Sequence, residues 1–79
     1  MNMMMAPQTY IDNMRKESLA SCLQERDEIY AILKKVENNE YPEEEIDTTV
    51  HPVIQYRWYL EVFALLNQLI ADKFVEERD

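Results

Sequence analysis

Glycine is absent from all 79 residues of this chain. Phosphate-cradling loops, tight hairpin turns and left-handed helix caps rely on glycine because it enters positive φ without a Cβ clash. P-loop, dinucleotide-binding and turn-rich β architectures therefore lose their signatures together, and helices lose least. Cysteine is almost as scarce: Cys22 stands alone, so no internal disulfide can form. A lone cysteine fits a reducing compartment, and a cytoplasmic location is expected.

Basic side chains are also few. Eight Lys and Arg face sixteen Asp and Glu, leaving a formal charge of −8. The basic residues, Arg15, Lys16, Arg26, Lys34, Lys35, Arg57, Lys73 and Arg78, are scattered along the chain. Nucleic acid and anionic membrane surfaces call for clustered Lys and Arg, so direct binding to either is not expected. Long hydrophobic runs are missing as well: no stretch reaches the roughly 18 apolar residues of a spanning helix. The Met-rich start, residues 1–8, lacks the basic leader and apolar run of a signal peptide and is expected to be a disordered arm.

What remains is a soluble single domain over residues 9–79. A chain this short buries only about 60% of its unfolded surface, so its core is marginal unless association adds to it.

Two long helical segments are predicted. The first covers about 9–38, entered at Thr9-Tyr10-Ile11-Asp12 with Thr9 as a cap, and left through Lys34 and Lys35. At 100° per residue Ile11, Leu19, Cys22, Leu23, Ile29, Tyr30, Leu33 and Val36 gather within roughly 140° of arc. Arg15 and Arg26 project into that face. They are expected to snorkel at its edge, or alternatively to enter buried ion pairs between helices or chains.

An acidic connection spans 39–48, entered through Asn38-Asn39 and with Tyr41-Pro42 inside it. Pro42 could open a short helical turn there. The second helix covers about 49–76, with Thr48 or Thr49 as cap. Its apolar residues occupy well over half the circumference, leaving a polar stripe of Arg57, Glu61, Gln68 and Asp72. Alternation over 54–62 would also suit a strand, but no second strand is available to pair with it.

Equal segments and a short connection predict an all-α, antiparallel two-helix hairpin. The surplus apolar surface of the second helix predicts dimerisation into a four-helix bundle. Tyr56, Tyr59, Phe63, Leu66, Ile70 and Phe74 are the candidate interface residues, because aromatic groups are enriched where surfaces meet.

Candidates for chemistry are weak. His51 lies near Glu44, Glu45 and Asp47, but zinc generally wants more nitrogen or sulfur ligands and calcium loops want a glycine turn. No metal or cofactor is expected. Cys22 lies on the apolar face of the first segment and reads as core filler. No enzyme is expected, since neither a nucleophile–base pair nor a pocket for paired carboxylates can be assembled. The acidic residues Glu40, Glu43, Glu44, Glu45 and Asp47 could dock on a basic groove by imitating nucleic acid. The favoured reading is a protein-interaction module, an adaptor, co-chaperone or regulator, binding itself as a homodimer or another protein. The alternative is the acidic inhibitor.

Overall fold

A computed structural model describes residues 5–40 and 52–78 of the protein, and these are almost entirely helical. The elements are α1 (Pro7–Met14), α2 (Leu19–Glu37) and α3 (Pro52–Arg78). Residues 54–62 lie inside α3, so the alternating pattern there belongs to a helix. No helix among the described residues is long and apolar enough to cross a membrane.

The single first helix expected over 9–38 is instead two helices. The chain leaves α1 at Arg15 and re-enters helix at Leu19, with Ser18 as the N-cap of α2. The Ser18 hydroxyl accepts a bond from the Ser21 amide at 3.1 Å, satisfying one of the free donors of the new helix. The turn between them is tightened by bonds from the Lys16 amide to the Asn13 carbonyl and from the Glu17 amide to the Met14 carbonyl. α1 also begins earlier than expected. Pro7 stands in its first turn, where a fixed φ and a missing amide hydrogen cost nothing, and Thr9 is inside the helix rather than capping it. Residues 7 and 8, expected to belong to a disordered arm, are thus helical; residues 1–4 lie outside the described part.

Contacts at the helix ends fix the directions of the three rods. Tyr56 near the start of α3 donates its hydroxyl to Glu37 at the end of α2, at 2.7 Å. Lys73 near the end of α3 donates to the carbonyls of Arg15 and Glu17, just before α2 begins, at 3.0 and 2.9 Å. α2 therefore runs against α3. α1 runs with α3, because Trp58 donates its indole N–H to the Met5 carbonyl at 2.6 Å while Lys73 meets the other end of α1. The arrangement is up, down, up, in place of a two-helix hairpin.

The core lies where the rods meet. Ile11 comes from α1, Cys22, Ile29, Ile32 and Leu33 from α2, and Trp58, Tyr59, Val62, Leu66, Leu69 and Ile70 from α3. Ile32, outside the predicted face of α2, is buried, whereas Tyr30, inside it, is exposed; the buried arc is rotated toward α1. Cys22 is fully buried, and burial raises its thiol pKa. No buried side-chain N or O among the described residues lacks a hydrogen-bond partner, Gln55 in the α3 core face included.

α2 ends without glycine. Asn38 is its C-cap and Asn39 takes φ of 60°, the left-handed region that glycine normally fills. The Asn39 amide bonds the Val36 carbonyl at 3.0 Å and the Glu40 amide bonds the Lys35 carbonyl at 2.7 Å, which together close the last turn. Asparagine tolerates this region better than other side chains, so it stands in for the missing residue type.

Candidate interaction surface

Folding α1 back along α3 covers part of the surplus apolar surface that the sequence assigns to a second chain. Tyr59, Leu66 and Ile70, expected at an interface, are buried within the chain's own core. The expectation failed because it allowed α3 only one neighbour, and the break after α1 supplies a second. Tyr56 and Phe63 are half-buried at the core margin, and Phe74 is exposed.

Neither arginine enters a buried ion pair. Arg15 pairs with Asp12 at 3.4 Å and Arg26 with Asp27 at 3.2 Å, all with partly or largely exposed side chains. Arg15 caps α1 and Arg26 lies within α2, which runs the opposite way, so the two arginines do not share one continuous face. Glu40 is exposed. Glu43, Glu44, Glu45, Asp47, His51 and the possible turn at Pro42 lie outside the described residues.

At 100° per residue the buried positions of α3, from Trp58 through Val62 and Leu66 to Ile70, span about 120°. The opposite side mixes polar residues such as Arg57 and Gln68 with exposed apolar ones. Val53 is 58% exposed, Leu60 40% and Phe74 39%, and they lie on one line at seven-residue spacing with Asn67 between Leu60 and Phe74. Arg57, Ala64, Ala71 and Arg78 form a parallel line four residues after each. The alternating steps of four and three are those of a helix seam that packs on another helix. α2 extends the patch, since exposed Tyr30 meets Phe63 with ring centroids 5.9 Å apart. Arg78 lies over the Phe74 ring at 5.6 Å. The Tyr56–Glu37 hydrogen bond closes one margin, and that bond raises the Tyr56 pKa.

Sequence reasoning missed Val53, Leu60, Ala64, Asn67 and Ala71 as a set, although their spacing was readable. It merged them with the core residues into one broad apolar girth. The clefts along the α1–α3 contact, one lined by Pro7, Ile54, Arg57, Trp58 and Glu61 and another by Gln8, Ile11, Arg15 and Leu69, are shallow and open. They hold no pair of groups arranged for acid–base or nucleophilic work.

Comparison with protein-family models, curated proteins and solved structures found no match for the chain.

Proposed function

We propose that this protein is a self-associating protein-interaction module, binding through the outer face of α3. The carrying observation is the row Val53, Leu60 and Phe74, exposed on the side of α3 that faces away from both of its own neighbours. Scattered exposed apolar residues are ordinary on any protein. A row at seven-residue spacing, with exposed Tyr30 of α2 against the neighbouring Phe63, is grouped rather than scattered, and grouped exposed apolar residues mark association sites.

Each chain contributes three helices, so the assembly joins two three-helix units across α3 rather than closing two hairpins into a four-helix bundle. No catalytic role is part of this reading. An adaptor, co-chaperone or regulatory role fits a small helical unit whose chemistry is confined to a contact surface.

The test is Leu60→Asp, a change at a partly exposed position that leaves the core side of α3 untouched. Circular dichroism should stay native while the molar mass from light scattering falls. A folded variant with undiminished association overturns the proposal. If association also weakens steeply between low and moderate salt, it favours the acidic residues as the docking element instead, because an apolar contact is insensitive to screening.

A further inference from the structure

We infer that α1 is an exchangeable arm: the trough it fills along α3 and α2 takes α1 of a second copy when the four-residue hinge after it straightens into helix. The outer face of α3 plays no part in this contact.

The arm has few ties of its own. α1 has eight residues, too few to persist as a helix alone, and it places one side chain, Ile11, in the buried core, with Tyr10 and Met14 partly buried beside it. The Tyr10 hydroxyl donates to Glu25 on α2, and Trp58 donates to the Met5 carbonyl. An identical arm from another chain offers the same groups. The two Lys73 bonds differ, since they go to the carbonyls of Arg15 and Glu17 in the hinge; with the Ser18 cap they hold it bent.

The hinge is ready to become helix. Arg15, Lys16, Glu17 and Ser18 include neither glycine nor proline, and Arg15 already has helical φ and ψ. Ser18 departs from the helical path, with ψ of 160°. In a continuous helix, Ile11 and Met14 would fall within the arc of about 100° that Cys22, Ile29, Ile32 and Leu33 occupy. One straight rod then carries a single apolar face through both segments. The amides of Leu19 and Ala20, which meet no protein acceptor among the described residues, would gain the carbonyls of Arg15 and Lys16.

A straightened chain cannot keep its arm on its own core. Tyr10 and Glu25 would stand fifteen residues apart, about 22 Å along the rod, so their hydrogen bond re-forms only between copies. Ile11 leaves the core with them, and each chain is left with a bare arm and an empty trough. Reciprocal exchange fills both troughs and closes a twofold dimer.

Ser18 sets the balance and supplies the test. Alanine is a poor N-cap but a good interior residue, whereas glycine is a tolerable cap and a poor interior residue. Relative to Ser18→Gly, Ser18→Ala should favour the straight hinge about tenfold and so tighten a dimer with two such hinges about a hundredfold, with the native serine nearer the glycine variant. Both are made in the Leu60→Asp chain and read by sedimentation equilibrium, so that the outer face of α3 does not supply the dimer. A photoreactive benzoylphenylalanine in place of Tyr10 then reports which chain the arm lies on, in an equal mixture of ordinary and nitrogen-15 chains refolded together. Mass spectrometry should find cross-linked peptides of mixed label in the Ser18→Ala dimer and none in the Ser18→Gly monomer. Equal dissociation constants for the two variants, or a dimer whose cross-links all join peptides of like label, overturn the exchange. Monomers throughout, at the highest soluble concentration, overturn it too, and leave the outer face of α3 to be judged by Leu60→Asp in the native hinge.

Discussion

Replacing Ile11 with alanine should undock α1 without unfolding the rest. Ile11 is 1% exposed and is the only residue of α1 in the buried core. The substitution removes three carbons, about 2.4 kcal/mol at roughly 0.8 kcal/mol for each, and the cavity left behind brings the cost into the range of about 2–5 kcal/mol. α1 has eight residues and cannot persist as an isolated helix. Its other anchors are Tyr10, partly buried, edge-on to Trp58 at 5.7 Å and hydrogen-bonded to Glu25, the half-buried Met14, the Trp58–Met5 bond and the Lys73 contacts. A loss of this size falls on the shortest helix of the three, so the expected opening is local. Amide hydrogen exchange should show residues 10–15 losing their protection while 22–36 and 58–70 keep most of theirs. Trp58 is the sole tryptophan, so its emission should shift to the red as α1 leaves the indole. Equal loss of protection in all three helices would refute the reasoning, since α1 would then belong to the same cooperative unit as α2 and α3. An unchanged exchange pattern would refute the burial of Ile11.

Ser18→Ala removes the cap of α2 and should cost about 1 kcal/mol, lowering the melting temperature by roughly 4–8 °C in a calorimetric scan. Asn39→Gly should raise it by a few degrees because glycine adopts φ of 60° without strain, whereas Asn39→Val should lower it, a β-branched residue being poorly tolerated there. The Tyr10 phenol is held far above its ordinary pKa of 10.0, first by burial and then by its hydrogen bond to Glu25. It stays neutral when folded and ionises normally when unfolded, so its contribution is intact below about pH 10 and is lost as the pH rises beyond that. Melts between about pH 8 and pH 11.5 should show an alkaline decline that Tyr10→Phe makes shallower.

Helical content was legible because every feature of the composition pointed the same way: no glycine, few prolines, and apolar residues at helical spacing. The break after α1 was legible too, but only locally. Arg15 and Lys16 are residues suited to a helix end, and Ser18 is suited to a start, yet the apolar periodicity from Ile11 to Val36 runs across the gap with little loss of phase and masks it. Three-helix topology was not legible, because it depends on Lys73, Trp58 and Tyr56 gripping backbone and carboxylate groups as many as 58 residues away in sequence. The C-terminal stop of α2 could have been read from Asn38-Asn39 once the lack of glycine was taken seriously, since some residue had to fill the left-handed position.

The surface reading turns on how α3 divides its circumference. A helix with apolar groups over more than half its girth can satisfy them with two neighbours, and α1 and α2 do so for about 120° of arc, from Trp58 round to Ile70. Were α1 simply a continuation of α2, the edge of that arc carrying Trp58, Leu65 and Leu69 would be open, and the exposed apolar surface would be too diffuse to define a partner. With α1 in place most of the surplus lies between Tyr56, Phe63 and Tyr30 on one side and Glu61 and Gln68 on the other, with exposed Ile54 standing outside it on the α1 side. The four residues between α1 and α2 thus give α3 a second neighbour and leave most of its exposed apolar groups on one side. That side carries Asn67, half-buried, between Leu60 and Phe74, and Arg57 in its first half. Surplus hydrophobicity spread round the rod would leave the place of a contact open, whereas exposed apolar groups gathered on one side of α3 confine it.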